Sequence, residues 1–138
     1  IEQHLWLAID APARNYHPIP ADLGAERAAD VYAGLINALE RLDIVLLGMG
    51  EDGHTASLFP GNPALDDERA VVPVYNAPKP PAERVSLGIT TLRAAGERVV
   101  LTSGAGKREA IEQVRAGAAL PINRIGTLLW ITDKSAVE

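Results

Sequence analysis

An apolar run that passes straight into a glycine-rich loop constrains the fold of this chain more than any other feature. The run extends from Ile44 to Leu47, and the loop extends from Gly48 to Gly53. Continuous apolar runs of this length are typical of strands that are buried on both faces of a parallel sheet. We therefore expect a central strand over Asp43–Leu47, with the glycine loop at its carboxyl end.

The pattern around this strand predicts alternating helices and strands. Apolar residues at helical spacing predict an amphipathic helix over Asp22–Arg41, with Asp22 as its N-terminal cap. Further along the chain we expect strands at Val71–Val74, Val85–Ile89, Arg98–Thr102 and Thr127–Ile131, and helices at Thr55–Phe59, Thr90–Ala95 and Gly104–Arg115, with Asp133 capping a closing helix. This alternation indicates one α/β domain over residues 1–138, built on an open, doubly wound, mostly parallel, Rossmann-like sheet.

Composition narrows the possible partners and chemistry. The chain contains no cysteine, and His4, His17 and His54 are not paired at zinc-ligand spacing, which argues against disulfides and a metal site. A formal charge of −5 without any block of Lys and Arg argues against nucleic-acid binding. No run approaches the roughly 20 apolar residues of a membrane span, and the first residues lack a signal-peptide pattern. We expect a cytoplasmic protein that needs no metal, cofactor or membrane.

The glycine loop admits more than one interpretation. It matches the G-x-G-x-x-G pattern of dinucleotide-binding turns, but Glu51 and Asp52 place carboxylates where a pyrophosphate would lie. The glycines fit better as residues that permit tight turns beside a crevice, into which Asp52 and His54 project. An Asp two residues before a His can orient the imidazole of a general base. The residues alone also allow a capped loop with a solvated His54, and they do not separate Glu51 from Asp52 as its partner.

A second pair of glycines, Gly104 and Gly106, opens the helix that follows the Arg98–Thr102 strand. Lys107 and Arg108 then occupy its first turn, where the helix dipole disfavours each cation by roughly 0.3 to 1 kcal/mol. The backbone N–H groups of the glycines and the charge of Lys107 together suit a phosphate. A solvated lysine is the alternative. The segment does not match the Walker A pattern, so ATP hydrolysis is not expected.

The segment LLGMGEDGHTASLFPG, from Leu46 to Gly61, is similar almost letter for letter to the signature of 6-phosphogluconolactonases. The motifs at Arg84–Leu87, Ser103–Lys107 and Leu129–Ala136 follow in the order and approximate spacing of that family. Sister enzymes that deaminate glucosamine 6-phosphate carry a Glu five residues after the His, whereas this chain has Phe59. The resemblance therefore favours a lactonase.

The resemblance implies hydrolysis of 6-phospho-D-glucono-1,5-lactone to 6-phospho-D-gluconate, a step of the oxidative pentose phosphate pathway, by metal-free general-base catalysis. His54 would take a proton from the attacking water, and Asp52 would orient His54. Lys107 and Arg84 would grip the phosphate. The remaining substrate-binding positions are the glycines Gly50, Gly53, Gly104 and Gly106. Two alternatives stay open: a deaminase or isomerase of amino-sugar phosphates, and a catalytically silent fragment that binds sugar phosphates.

The resemblance covers essentially this whole chain but corresponds to the C-terminal part of the family. The chain begins with Ile1, and the upstream strands and phosphate-contacting glycine loop of the family do not occur before Leu5. We therefore expect an N-terminal portion to be missing, with activity in doubt. An open sheet without its first strands exposes an edge and part of its core, so we also expect self-association through that edge.

Overall fold

The computed structural model describes residues 8–9 and 12–138. In chain order its main elements are α1 (Ala25–Asn37), β1 (Ile44–Gly48), β2 (Val71–Val74), β3 (Arg84–Leu87), α2 (Ile89–Ala94), β4 (Glu97–Thr102), α3 (Arg108–Arg115) and β5 (Leu129–Thr132). The predicted α/β class is confirmed. His4 and the other residues before Ala8, on which part of the sequence argument rested, lie outside the described residues.

A three-stranded parallel sheet in the order β1-β4-β5 forms the centre of the structure. Val100 of β4 is in register with Leu47 on one side and with Trp130 on the other. Parallel strands end at a common edge, so the loops that follow β1, β4 and β5 lie together. The loop 48–54, the segment 103–107 and the segment after Thr132 are those three loops.

The strands β2 and β3 form a separate antiparallel pair, in which Val72 lies opposite Ser86. The sequence predicted both strands but not their antiparallel pairing outside the parallel sheet. Nine residues, 75–83, connect the two strands, whereas a parallel crossover needs about a dozen or more. The short proline-rich connection therefore reverses the chain, and α1 packs on the pair through Ala29 and Ile36.

The inner face of the parallel sheet carries the main apolar core. Val45, Leu47 and Val100 belong to one buried cluster with Leu58 and Phe59, which follow β1 closely in the chain. The other fully buried members include Leu92 of α2, and Ile122 and Ile125 of the 3-10 segment Pro121–Ile125. Burial of each side chain of this size contributes roughly 1.5 to 3 kcal/mol. The segment after β1 is thus anchored to the sheet.

The opposite face of the sheet is exposed, which corrects the prediction that β1 is buried on both faces. Ile44 is 61% exposed and Leu46 is 67% exposed. Leu46 lies in a row with Val99 and Leu129, and the next row is Gly48, Leu101 and Ile131. The apolar run correctly predicted a strand. It could not predict the exposure, because an apolar run does not indicate which elements cover it, and these side chains remain exposed among the described residues.

The prediction of a helix over Thr55–Phe59 is wrong. Thr55 N donates to Leu58 O (3.4 Å) and Leu58 N donates to Thr55 O (2.8 Å), which closes a tight turn. Ala56 adopts a φ of 49° within this turn, a value that a right-handed helix does not allow. The turn buries Leu58 and the following Phe59 together, and an α-helix would point these adjacent side chains in different directions.

The cap predicted for α1 is also wrong, whereas the one predicted near the C-terminus is confirmed. Asp22 lies in the short 3-10 turn Ala21–Leu23, and Gly24 occupies the N-cap of α1 without any side-chain hydrogen bond. Asp133 accepts a hydrogen bond from Ala136 N at 3.0 Å and caps the 3-10 turn Lys134–Ala136. None of the described helices is long and apolar enough to cross a bilayer.

Candidate active site

The loop after β1 folds back on itself and presents His54 at the carboxyl edge of the sheet. Gly50 N donates to His54 O at 2.9 Å, and Gly53 N donates to Gly50 O at 3.1 Å. Thr55 is fully buried, and its hydroxyl donates to Gly48 O at 2.9 Å. These bonds tie both ends of the loop to the end of β1. The backbone on either side of His54 is therefore fixed by the sheet.

Asp52 and His54 form a hydrogen-bonded pair. Asp52 Oδ1 lies 2.5 Å from His54 Nδ1, and the same oxygen accepts from His54 N at 3.2 Å. The structure thus pairs His54 with Asp52, a choice that the sequence left open between Glu51 and Asp52. The His54 side chain is 18% exposed and that of Asp52 is 39% exposed. The pair is therefore partly shielded but still reachable from solvent.

The electrostatics of the pair keep Asp52 ionised. Partial burial raises the pKa of the Asp52 carboxyl. Hydrogen bonds from the side chain and backbone of His54, together with the charge of His54, lower the pKa by more than burial raises it. The pKa therefore lies below its ordinary value of 3.8. A carboxylate at Nδ1 holds the imidazole proton on that nitrogen. In the neutral imidazole, Nε2 then carries the free lone pair, which is the arrangement that a general base needs.

Phe59 lies against the imidazole. The ring centroids of His54 and Phe59 are 4.5 Å apart with an interplanar angle of 36°. Phe59 is 1% exposed and belongs to the main core. The guanidinium carbon of Arg84 lies 5.3 Å from the centroid of the same ring. The sequence identified Phe59 only as a difference from the deaminases, and its contact with His54 depends on the turn at Thr55–Leu58.

Gly50 and Gly53 shape the loop, and both of their N–H groups are used within it. A Cβ at Gly50 would lie 2.1 Å from His54 Nδ1. Gly53 has a φ of 75°, and a Cβ there would meet Leu120 at 2.8 Å. The carbonyl of Gly53 also accepts a hydrogen bond from Ile122 N at 3.3 Å. Their role as substrate-binding positions therefore stays a prediction, whereas their role in positioning His54 follows from the contacts.

An open cleft of about 540 Å³ lies at the ends of the parallel strands. Its lining comprises Gly48, Met49, Leu101, Thr102, Ser103, Lys107, Ile131, Thr132 and Asp133. The Thr102 hydroxyl is buried and has no hydrogen-bond partner among the described residues. Sequence reasoning missed Thr102, although a polar residue at the end of an apolar strand is a recognisable signal. The cleft therefore offers the ammonium group of Lys107, whereas the Thr102 hydroxyl is buried.

The predicted phosphate cradle is only partly assembled. Lys107 ends the 3-10 turn Ala105–Lys107 and lines the cleft. However, Gly104 N donates to both carboxylate oxygens of Asp133, at 3.1 and 3.2 Å. The hydrogen bond from Gly104 N lowers the pKa of the Asp133 carboxyl; burial opposes this, while bonds from Ser135 and Ala136 add to it. The ionised Asp133 carboxylate thus already accepts the hydrogen bond of the Gly104 N–H group that the sequence assigned to phosphate.

Gly106 brings the two loops together. A Cβ at Gly106 would lie 3.0 Å from Glu51 Oε1, so the 104–107 turn sits beside the loop that carries His54. Glu51 and Asp133 therefore place carboxylates near Lys107. These carboxylates are unfavourable for a bound anion, and Lys107 is the one cationic residue among the residues that line the cleft. His54 does not itself line the cleft, but the Glu51–Gly106 approach connects its loop to it.

Arg84 sits on the other side of the candidate site and is committed to backbone carbonyls. Its Nε donates to Pro81 O at 3.0 Å, and its Nη2 donates to Lys79 O at 2.7 Å and to Pro80 O at 3.2 Å. Arg84 does not line the cleft that contains Lys107. The structure therefore brings Arg84 to Phe59, and no described contact joins Arg84 to His54 or to Lys107.

Comparison with known proteins gives consistent relatives. The sequence profile described as "Glucosamine-6-phosphate isomerases/6-phosphogluconolactonase" matches residues 1–130. The 6-phosphogluconolactonase of Rattus norvegicus is 34% identical over 148 residues, covering 98% of this chain and 58% of the relative. The probable 6-phosphogluconolactonase 3, chloroplastic, of Oryza sativa subsp. indica is 33% identical over 154 residues, covering 94% of this chain and 47% of the relative.

A solved structure agrees with these sequence matches. The 6-phosphogluconolactonase from Trypanosoma cruzi superimposes with a TM-score of 0.82 at 28% identity, covering 98% of this chain and 62% of that protein. In each of these three comparisons, the chain spans less than two thirds of the length of the protein that it matches.

Proposed function

Because the chain belongs to the family of glucosamine-6-phosphate isomerases and 6-phosphogluconolactonases, we propose that it hydrolyses 6-phospho-D-glucono-1,5-lactone to 6-phospho-D-gluconate. The observation that carries this proposal is the Asp52–His54 pair, with its 2.5 Å contact, at the carboxyl edge of the parallel sheet. The relatives that match are longer than this chain, so the activity is proposed for the protein of which these residues form a part or the whole.

The proposed reaction is general-base hydrolysis of an ester. Nε2 of His54 takes a proton from water, and the water oxygen attacks the lactone carbonyl carbon. The bond between that carbon and the ring oxygen then breaks, and His54 returns the proton to the ring oxygen. Asp52 keeps Nδ1 protonated and stabilises the imidazolium that forms between the two steps. The pair supplies both proton transfers, so the proposed mechanism is metal-free.

The phosphate of the substrate provides binding energy remote from the reacting carbon. Lys107 is the proposed contact, because its side chain lines the cleft beside the loop that carries His54. Holding the phosphate at Lys107 would fix the lactone carbonyl within reach of the water, which is catalysis by positioning.

Arg84 has a weaker claim as a phosphate contact. Two of its three guanidinium nitrogens already donate to the carbonyls of residues 79–81. A phosphate at Arg84 would have to use Nη1 or replace one of these bonds. Gly50, Gly53 and Gly104 are subject to the same argument, because their N–H groups donate within the protein. We keep these residues as predicted binding positions and rank Lys107 above them.

An amino-sugar-phosphate deaminase or isomerase is the main alternative within the family. Phe59 argues against it, because this position is an apolar ring buried against His54 and not the Glu that the deaminases carry. A silent sugar-phosphate-binding fragment is the other alternative. It would keep binding through Lys107 without any rate.

The site of action in the cell and the oligomeric state are also proposals. We infer a cytoplasmic location from the sequence, although the rice relative is named chloroplastic, so family membership alone does not choose a compartment. We propose self-association of this chain through an edge of the parallel sheet, and the exposed rows on the sheet face, which contain Leu46, Leu129 and Ile131, offer further apolar surface for it. A second copy that packs on this face would remove those side chains from water.

The decisive experiment measures the initial rate of lactone hydrolysis above its spontaneous background. His54→Ala is the test variant, and His17→Ala is the matched control because His17 is an exposed histidine outside the candidate site. The proposal expects a rate above background that His54→Ala abolishes and His17→Ala keeps. Turnover of glucosamine 6-phosphate instead would favour the deaminase. A third outcome is a rate at background together with binding of 6-phosphogluconate. If Lys107→Ala weakens that binding and Arg108→Ala does not, the result would favour the silent fragment.

A further inference from the structure

We propose that Phe59 is a positioning residue for His54, so that a buried aromatic ring and the Asp52 carboxylate together fix the imidazole. This inference rests on the proposed function for its kinetic consequences. The observation behind it is the contact between the two rings, whose centroids are 4.5 Å apart at an interplanar angle of 36°. The geometry of this contact is independent of any assumed reaction.

A hydrogen bond at one atom does not fix a planar ring. The bond between Asp52 Oδ1 and His54 Nδ1 sets the position of that nitrogen, but the imidazole can still tilt about it. Nε2 lies on the far side of the ring, so a tilt moves the proposed basic nitrogen by more than it moves Nδ1. A second surface that lies against the ring removes this freedom. Phe59 supplies that surface.

Phe59 can act as a support because it is itself packed tightly in the core. Its side chain is 1% exposed and packs in the main core with Leu58. The backbone just before it is held by the paired hydrogen bonds between Thr55 and Leu58. In addition, Ser57 N donates to the buried hydroxyl of Ser86 at 3.1 Å, which ties this turn to β3. The ring that supports His54 is thus part of the same core that packs against the parallel sheet.

Arg84 contacts the same ring and connects it to the proline-rich loop. Its guanidinium carbon lies 5.3 Å from the Phe59 centroid, while its nitrogens donate to the carbonyls of residues 79–81. Cations prefer the face of an aromatic ring at this distance. Arg84 therefore restrains the Phe59 ring, and the Phe59 ring in turn restrains the imidazole. No described contact joins Arg84 to the imidazole itself. The role that this geometry gives Arg84 differs from a direct grip on phosphate.

Phe59→Leu is the test variant, and Phe59→Tyr is the variant that keeps the aromatic ring. Ile125→Ala serves as a control for general loss of core packing, because Ile125 is fully buried in the same cluster. Two readouts apply to the intact chain. One is the kcat and KM of lactone hydrolysis. The other is NMR relaxation of the His54 ring carbon Cε1, assigned by comparison with His54→Ala among the three histidines.

A direct contact can be tested at the same time. The chain contains one phenylalanine, so ring-labelled phenylalanine marks Phe59 alone, and a cross-peak to the His54 ring is expected in the unmodified protein. Phe59→Leu should lower kcat by about 10- to 100-fold with KM within about twofold, and it should make the His54 ring mobile. Phe59→Tyr should restore a rigid ring and most of the rate. Ile125→Ala should lower stability while the folded protein keeps its kcat.

The outcomes separate the two claims. If Phe59→Leu keeps a rigid His54 ring and an unchanged kcat, or if Ile125→Ala lowers kcat as much, the positioning role is overturned. If the unmodified chain shows no rate above background, the lactonase proposal fails in this chain, and the relaxation data and the cross-peak still decide the positioning role. A rigid His54 ring in the unmodified and Tyr proteins and a mobile one in the Leu protein would then support it.

Discussion

Gly50 lies directly against the imidazole of His54. A Cβ at this position would lie 2.1 Å from His54 Nδ1 and 2.6 Å from Asp52 Oδ1. The absence of a side chain at Gly50 is therefore what permits the 2.5 Å contact between Asp52 and His54. Gly50 N also donates to His54 O, so the same residue restrains the backbone of the histidine. Gly50 thus positions the pair in two ways: it leaves room for the imidazole, and it holds the backbone of His54.

Gly50→Ala should abolish most of the activity. The added methyl group forces His54 away from Asp52, and a displacement of about 1 Å can cost on the order of 100-fold in rate. Gly34→Ala is the matched control, because a Cβ there would have nothing within 4 Å and Gly34 lies on α1, outside the cleft. Initial rates of lactone hydrolysis for the two variants check this prediction. Equal rates in both variants would show that the imidazole does not need its observed position.

Asp52→Asn should lower stability in a way that depends on pH. The folded pKa of Asp52 lies below 3.8, so the ionised carboxylate stabilises the folded state above that value. This contribution is lost as the pH falls through the lowered folded pKa. Since the side chain is 39% exposed, we expect a loss of at most about 1 kcal/mol at neutral pH. Urea unfolding at neutral and acidic pH should show the difference shrinking in acid, and a constant difference would contradict the assignment.

The sequence predicted most elements correctly because their signals are local. The run Ile44 to Leu47 is apolar enough to indicate a strand without knowledge of its neighbours, and the two-residue spacing of Asp52 and His54 indicated a pair. Asp133 was also recognisable as a cap. In each case the contacting atoms lie within a few residues of one another, so composition and spacing were sufficient.

The failed predictions depend on contacts between distant residues. The bond from Gly104 N to Asp133 spans 29 residues and removes an amide that the local glycine pattern offered to phosphate. The exposure of Leu46 depends on what packs over the sheet, which an apolar run does not encode. The contact of Phe59 with His54 required a turn at Thr55–Leu58 in place of the predicted helix, and this turn is held by the bond from Ser57 N to Ser86, 29 residues away. Tertiary packing decided all three.

Ser86→Ala should destabilise the fold through a single unsatisfied group. The Ser86 hydroxyl is buried, accepts a hydrogen bond from Ser57 N at 3.1 Å and donates to Leu87 O at 3.0 Å. Its removal leaves a part-buried N–H without this acceptor, which costs about 1 to 3 kcal/mol. Chemical denaturation measures the loss, with the exposed Ser103→Ala as the control that should change little. If Ser86→Ala lowers the free energy of unfolding no more than Ser103→Ala does, the hydrogen bond between the turn and β3 contributes little to stability.

Leu101→Lys combined with Ile131→Lys should reduce self-association without unfolding the protein. These side chains lie opposite each other on β4 and β5 and are 47% and 54% exposed, so charging them costs little in a monomer. In a pair of copies packed on this face, the same charges would be buried without partners and would oppose assembly. Val31→Lys is the matched control, because Val31 is 53% exposed on α1 and lies outside the sheet.

Sedimentation over a range of concentrations checks this prediction. The parent chain and the Val31 variant should associate, and the double variant should stay monomeric. A parent chain that stays monomeric throughout would rule out the proposed self-association, and an equal effect of both charge changes would place the contact elsewhere.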